Sequence, residues 1–258
     1  MIKSELPPSA TVVVAHPTLQ FEPTKEVDTF RNYEDSHLQD SVSRAYRNSH
    51  TKQTYEYAKS KLDQYGSLST GINMSVWEAA ELLNTIVDES DPDSDIPQIN
   101  HLLQTAEAIR KVYPGEEYDW FHLTGFIHDL GKILLNPRFN EPQWAVVGDT
   151  FPVGCRFDES NIFYEYFKDN PDYNNSLYNT ECGVYEKHCG LENVVMSWGH
   201  DEYFYQITNE QDQEMLEWVK KFNMFDLYSK DAEPVNVEKL KPYYQSLIKK
   251  YFPDTLRW

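Results

Sequence analysis

Residues 120–132 constrain the fold of this chain more than any other part of the sequence. They run Trp-Phe-His-Leu-Thr-Gly-Phe-Ile-His-Asp-Leu-Gly-Lys and are apolar on nearly every side, which predicts a helix buried in a protein core. This stretch nevertheless contains His128, Asp129 and Lys132. A buried helix does not hold an imidazole, a carboxylate and an ammonium group without strong partners, because an unpaired buried charge is costly.

A metal ion is the simplest partner for His128 and Asp129. Imidazole nitrogen and carboxylate oxygen suit iron, zinc or manganese, and the two oxygens of Asp129 could bridge two ions. Lys132 follows His128 by four residues and Asp129 by three, which places all three on the same helical face. Its ammonium group could offer a positive charge to a molecule bound beside the metal. The alternative is a satisfied core histidine beside an aspartate that caps the helix.

Charge and composition limit the classes of partner. The chain has 258 residues, with 23 Lys and Arg against 42 Asp and Glu, a formal charge of -19. Such an acidic protein is a poor match for nucleic acid or an anionic membrane.

No stretch is long and apolar enough for a membrane span, and the N-terminus lacks the apolar core of a signal peptide. The odd set Cys155, Cys182 and Cys189 lacks paired metal-ligand spacing. We expect a cytoplasmic monomer.

Apolar periodicity predicts an all-α protein with a single domain at 29–258, preceded by an extended or mobile Pro-rich arm at 1–28. Ser75 and Glu78 form a predicted capping box, and Asp119 is a predicted N-cap. His200 is expected at the end of a helix. An irregular aromatic loop at 136–160 has Gly148-Asp149 near its middle and is typical of segments that line a site. The helices are predicted near 38–65, 76–87, 99–113, 120–132, 159–168, 181–187, 191–198, 215–222 and 240–251.

Metal-type side chains occur on several of these helices, in the order His101, His128-Asp129, His200 and Asp226. This H…HD…H…D order is similar to that of the HD-domain superfamily, which consists mostly of metal-dependent phosphohydrolases. A larger set of motifs extends from about residue 28 to the C-terminus. These motifs are Phe30-Arg31-Asn32-Tyr33, Asp88-Glu89-Ser90-Asp91-Pro92-Asp93, Gln104-Thr105-Ala106-Glu107, His128-Asp129-Leu130-Gly131-Lys132, 142–155, His188-Cys189-Gly190-Leu191, 196–203 and Phe225-Asp226-Leu227-Tyr228. Together they resemble the myo-inositol oxygenase family.

The resemblance implies an HD-domain-like helical bundle around a buried di-iron site that converts myo-inositol and O2 to D-glucuronate. By position, the first iron would be held by His101, His128, Asp129 and Asp226. Asp129 would bridge to a second iron, which His200 would also hold. Lys132 and Asp129 would be the catalytic residues. The substrate-binding residues implied in the same way are Arg31, Asp88, Glu89, Ser90, Lys132, Gly148 and Asp149.

The chain departs from the family pattern between Tyr205 and Met215. The family has a further histidine ligand for the second iron there, followed by a serine that contacts the substrate. This segment is absent here, and His200 is the last histidine of the chain. We therefore expect a weakened second iron site.

Three functions stay open at this point. The first is an inositol oxygenase whose activity is impaired by the loss of one ligand segment. The second is a single-metal HD phosphohydrolase, because the four ligands of the first ion are the minimum set of that superfamily. The third is a catalytically inactive inositol oxygenase-like form.

Overall fold

The computed structural model describes residues 21–66, 71–208 and 216–258, and it confirms the all-α class. One small antiparallel pair, β1 (Asn73–Met74) with β2 (Leu256–Arg257), ties the C-terminus to the body. Next to it the indole of the buried Trp258 donates to the carbonyl of Met74 at 3.0 Å. The helices in the described ranges are α1 (Gln39–Lys52), α2 (Tyr55–Gly66), α3 (Val76–Leu82), α4 (Gln98–Val112), α5 (Asp119–Ile127), α6 (His200–Thr208), α7 (Leu216–Tyr228) and α8 (Val237–Tyr251).

The centre of the fold is the close packing of α4 against α5. A Cβ on Gly125 would lie only 2.8 Å from the Cα of Ala106, so glycine is required for the two backbones to approach this closely. On its other side α5 packs against α8, where the rings of Phe126 and Tyr244 stack with centroids 5.0 Å apart. This packing fixes the start of α4 relative to the end of α5.

The predicted helix over 120–132 is confirmed over 120–127 and is wrong in its C-terminal part. The α-helix ends at Ile127, and a 3-10 helix follows at Leu130–Leu135, so His128 and Asp129 lie at the junction of two helical segments. Asp119 is not the N-cap but the first residue of α5, and its carboxylate pairs with Lys250 at 2.8 Å. The capping box of α3 is confirmed by reciprocal bonds between Ser75 and Glu78.

The predicted single helix over 38–65 is two helices, because the chain breaks at Gln53 and Thr54. The buried side-chain amide of Gln53 donates to the Trp198 carbonyl at 2.7 Å and accepts from the Trp198 N–H at 3.1 Å. The Thr54 hydroxyl then accepts from the backbone N–H of Tyr57 at the start of α2. The polar contacts of Gln53 and Thr54 therefore interrupt the single helix that apolar spacing alone predicts.

The region 155–199 contains far less helix than predicted. Only 3-10 helices occur, at Tyr164–Asp169 and Leu191–Asn193, and none forms at 181–187. The backbone of Val195 instead accepts from Val153 at 3.0 Å, and Pro152 forms an antiparallel bridge with Met196. His200 consequently begins α6 rather than ending a helix.

The described end of the N-terminal arm packs on the body. Phe21 stacks on Phe225 with centroids 4.9 Å apart, and Lys25 pairs with Asp93 at 2.6 Å. Residues 1–20 of the predicted arm lie outside the described residues, and the domain division at residue 28 stays a prediction. No helix in the ranges that the structure describes is long and apolar enough to cross a membrane.

Candidate metal centre

Four ligand-type side chains from three parts of the fold meet at one point. His101 comes from the first turn of α4, Asp226 from the last turns of α7, and His128 and Asp129 from the junction after α5. Asp226 Oδ1 lies 2.9 Å from His101 Nε2 and 3.2 Å from His128 Nε2. The two imidazole Nε2 atoms are 3.2 Å apart. Asp129 Oδ2 lies 3.4 Å from His128 Nε2 and 3.6 Å from His101 Nε2.

These separations match the edges of a metal coordination shell. With metal–ligand bonds of about 2.1 Å, neighbouring ligand atoms are about 3.0 Å apart in an octahedron and about 3.4 Å apart in a tetrahedron. The separations of Asp226 Oδ1 and Asp129 Oδ2 from the two imidazole nitrogens, and of those nitrogens from each other, are close to those two values.

The other oxygen of Asp129 faces a second group of ligand-type atoms. Asp129 Oδ1 lies 3.0 Å from His200 Nε2, and the same nitrogen lies 3.0 Å from Asp201 Oδ1. Each carboxylate oxygen of Asp129 thus points at a different set of ligand-type atoms. The sequence alone did not single out Asp201 as a ligand, although it stands in a His-Asp pair like that of His128 and Asp129.

Backbone carbonyls orient two of the three histidines. Nδ1 of His128 donates to the Gly125 carbonyl at 2.9 Å, and Nδ1 of His200 donates to the Val146 carbonyl at 2.7 Å. A neutral ring with its proton on Nδ1 presents a lone pair at Nε2. Here that lone pair faces carboxylate oxygens, an arrangement that is favourable only with a second proton or a cation between the atoms. The donor set therefore fits a metal ion.

Charges in the centre shift the pKa values of its members strongly. Burial lowers the pKa of His128, but the carboxylates of Asp129 and Asp226 outweigh it and raise this pKa to about 10. Burial raises the pKa of Asp129, but His128 and Lys132 hold it well below its ordinary value. Burial also raises the pKa of Asp226, but His128 and His101 hold it well below its ordinary value. Without metal, both carboxylates are therefore ionised and the His128 ring carries a second proton. A metal ion would take the place of such protons.

Gly131 sets the position of His200. A Cβ at residue 131 would overlap with the backbone carbonyl of His200, so only glycine lets the 3-10 helix approach the first residue of α6. The backbone N–H of His200 also donates to the Val146 carbonyl at 2.9 Å. Together these contacts hold the His200 ring against Asp129.

Lys132 lies beside the centre and is buried. Its Nζ is 2.7 Å from Asp129 Oδ2, 2.8 Å from Asp88 Oδ2 and 3.0 Å from Gln98 Oε1. Burial lowers the pKa of Lys132, but the two carboxylates outweigh it and raise this pKa above its ordinary value. The residue is therefore a fixed positive charge next to the metal-type ligands.

A cavity of about 420 Å³ opens over both ligand sets, a size ordinary for a small-molecule site. The predicted substrate residues Arg31, Asp88, Ser90, Lys132, Gly148 and Asp149 all line it. Glu89 is outside the lining: it is exposed, and its N–H donates to the Gln143 side chain at 3.2 Å.

Lys230 is a lining residue that the sequence analysis did not single out. Its ammonium pairs with Asp91 at 3.0 Å, at the wall of the same cavity. It stands four residues after Asp226, which is the spacing that relates Lys132 to His128. The same helical-face argument would have found it.

Comparison with known proteins gives consistent matches over most of the chain. The sequence profile described as myo-inositol oxygenase matches residues 39–210 and 206–258. The inositol oxygenase of Dictyostelium discoideum is 65% identical over 272 aligned positions, which cover 92% of each chain. The probable inositol oxygenase of Oryza sativa subsp. japonica is 50% identical over 266 positions, covering 90% of this chain and 85% of the relative. The inositol oxygenase of Mus musculus is 46% identical over 280 positions, covering 95% and 96%.

The profile covers far more than half of the chain, and each of these relatives exceeds 45% identity over most of both proteins. The chain therefore belongs to the myo-inositol oxygenase family, a family of oxidoreductases.

Proposed function

We propose that this protein oxidises myo-inositol with O2 to D-glucuronate at two iron ions, and that the second ion is held weakly. The observation that carries the proposal is the placement of Asp129. Its Oδ2 lies against His128 and His101, while its Oδ1 lies 3.0 Å from His200. A carboxylate shared in this way fits a bridge between two neighbouring ions.

The weak second site follows from the segment that is absent. The alignment with the Dictyostelium relative runs over 272 positions, whereas 92% of this chain is about 237 residues. About 35 positions of the relative therefore have no counterpart here. The mouse alignment gives the same difference, with 280 positions against about 245 residues. The two profile matches meet at residues 206–210, which supports a single gap between α6 and α7.

The gap leaves fewer groups to hold the second ion. The family resemblance places a histidine ligand in the absent segment, and chelation by several fixed groups is what offsets the dehydration of a divalent ion. We also expect a more open cavity near 205–213, although residues 209–215 lie outside the described part of the chain.

Bound iron would supply Lewis acidity toward a substrate hydroxyl and electrons for O2. The residues of the chain provide the rest of the site. The Lys132 ammonium would stabilise negative charge on a substrate oxygen that approaches Asp129, because it is buried and already oriented by Asp88. The Asp88 carboxylate is fixed in turn by the N–H and hydroxyl of Ser90, at 2.8 and 2.5 Å, and can accept a bond from a polyol hydroxyl.

The mouth of the cavity offers further polyol contacts. The Arg31 guanidinium pairs with Asp149 at 2.9 Å, and both side chains remain partly exposed. Arg31 has a left-handed backbone with φ of 54°, and its N–H donates to the Asp93 carboxylate. Gly148 has a φ of +97° and nothing closer than 3.8 Å to where a Cβ would be, so the loop leaves open space beside Asp149.

The composition of the cavity wall disfavours the phosphohydrolase alternative. Its lining includes three cationic side chains, Arg31, Lys132 and Lys230, against seven aspartates. Even with one divalent ion bound, a phosphate dianion would meet an excess of negative charge there, whereas a neutral polyol would meet many hydrogen-bond acceptors.

The test is D-glucuronate formed from myo-inositol under O2 by the iron-loaded protein. We expect iron-dependent turnover at least about tenfold below that of the Dictyostelium relative, because losing a direct ligand should cost no less than losing a supporting residue. Turnover equal to that of the relative would contradict the weakened site. Phosphate release from a phosphomonoester would favour the phosphohydrolase, and the absence of both products would favour the inactive form.

A further inference from the structure

We propose that Asp201 is the third protein ligand of the second ion, so that Asp129, His200 and Asp201 still hold this ion, although weakly, without the absent segment. This inference rests on the proposed function, because it assigns a residue to the second of the two ion positions. The predictions from the sequence gave that position only His200 and the bridging Asp129.

The first argument is geometric. His200 Nε2 lies 3.0 Å from Asp129 Oδ1 and 3.0 Å from Asp201 Oδ1, and ligand atoms of all three residues lie within 4.8 Å of one another. A separation of about 3.0 Å is the edge of an octahedron with metal–ligand bonds of about 2.1 Å. One ion can therefore contact all three side chains with at most a small shift of the two carboxylates.

The second argument concerns protons. The bond from Nδ1 of His200 to the Val146 carbonyl places one proton on Nδ1. Even a doubly protonated ring has a single N–H at Nε2, which could reach both carboxylates only as a three-centre bond with poor geometry to each. A cation at the same position satisfies both oxygens and the nitrogen together. The arrangement is therefore explained better by an ion than by an ion pair within the protein.

The third argument is the location of Asp201. Its side chain is 61% exposed and lines the cavity, whereas those of Asp129 and His200 are only 7% and 11% exposed. Two ligands would therefore anchor the ion from the buried side and one from the cavity side. Three protein ligands leave coordination positions open toward the cavity, as in catalytic metal sites. One nitrogen and two carboxylate oxygens form a hard donor set that suits Fe²⁺ or Mn²⁺.

The experiment is a Mn²⁺ titration followed by electron paramagnetic resonance, in which free Mn²⁺ is counted directly. The unaltered chain should show a tight step and a weaker step. Asp201→Asn and Asp201→Ala should keep the tight step and weaken the second by at least about tenfold, because a direct ligand is lost. The matched control is Asp254→Asn, which removes the same charge from an exposed carboxylate outside the cavity lining.

The inference is overturned if the second step is unchanged in both Asp201 variants, or if the unaltered chain binds no second Mn²⁺. The proposed function is judged separately by the tight step and by glucuronate formation. Asp201 is not among the four side chains expected to produce the tight step, so failure of one proposal is distinguishable from failure of the other.

Discussion

Asp129→Asn is expected to abolish glucuronate formation, with a fall of at least about 1,000-fold. Asp129 contacts both sets of ligands and Lys132, and a catalytic metal supplies several kcal/mol of transition-state stabilisation. The asparagine side chain has nearly the same shape but offers one oxygen, so it cannot bridge two ions. We expect the second ion to be lost from the variant and the first to bind more weakly.

The stability of the metal-free protein should fall as well. Asp129 is the carboxylate that His128, His200 and Lys132 share, and breaking a buried ion pair costs about 3–5 kcal/mol. We expect the free energy of unfolding to fall by about 3 kcal/mol, because Asp88 still pairs with Lys132. Urea unfolding in the presence of a chelator measures it.

Asp119→Asn is the matched control for the loss of a buried aspartate. Asp119 is mostly buried and pairs with Lys250 at 2.8 Å, but it does not line the cavity. This variant should lose some stability and keep its iron and its turnover. Equal loss of iron in the two variants would show that the effect of Asp129→Asn is general unfolding.

Lys132→Met is expected to reduce turnover by about 100-fold while the first iron stays bound. Methionine has a similar length without charge, so the cavity keeps its shape but loses the positive charge beside the substrate position. Removing one preorganised donor of this kind costs about 100- to 1,000-fold in rate. Initial rates across myo-inositol concentrations, with iron measured per chain, give both quantities.

Asp88 should respond to the same substitution. Burial raises the pKa of Asp88, but Lys132 at 2.8 Å outweighs it and holds the pKa below its ordinary value. Without the ammonium group, Asp88 should take up a proton more readily and lose acceptor strength toward a polyol hydroxyl.

Lys61→Met is the matched control for Lys132→Met. Lys61 pairs with the buried Glu141 at 2.6 Å and does not line the cavity. The Lys61→Met variant should lose stability but keep its turnover. Loss of the first iron from Lys132→Met would show instead that this lysine has a structural role.

Helical periodicity is enough to predict the all-α class and the apolar faces of α3 and α4, because those faces pack on a single core. It does not predict the junction after α5. The 3-10 helix there depends on Gly131 lying against the backbone of His200, a contact between segments that are far apart in sequence. The sequence therefore places His128 on a regular helix, whereas tertiary contact fixes its true position.

The metal-type ligands, too, are predicted only in part from the sequence, and tertiary contacts determine the rest. The sequence indicates His101 and Asp226 only through their order in the chain. The packing of α4 against α5 and α7 brings His101 Nε2 to 2.9 Å from Asp226 Oδ1. Asp201 follows a ligand-type histidine, but in the sequence it is a polar residue beside another acidic residue and resembles an ordinary surface position. Its distance from His200 appears only in the structure, because the start of α6 depends on the pairing of 195–197 with 151–153.

Anaerobic titration with Fe²⁺, followed by calorimetry, tests the central claim most directly. We predict one ion bound tightly through His101, His128, Asp129 and Asp226, and a second bound at least about tenfold more weakly because the segment between α6 and α7 is absent. The Dictyostelium relative, titrated in parallel, controls for any difference between the two sites that the family already has. Two ions of equal and high affinity in this chain would contradict the account, and so would the absence of any tightly bound ion.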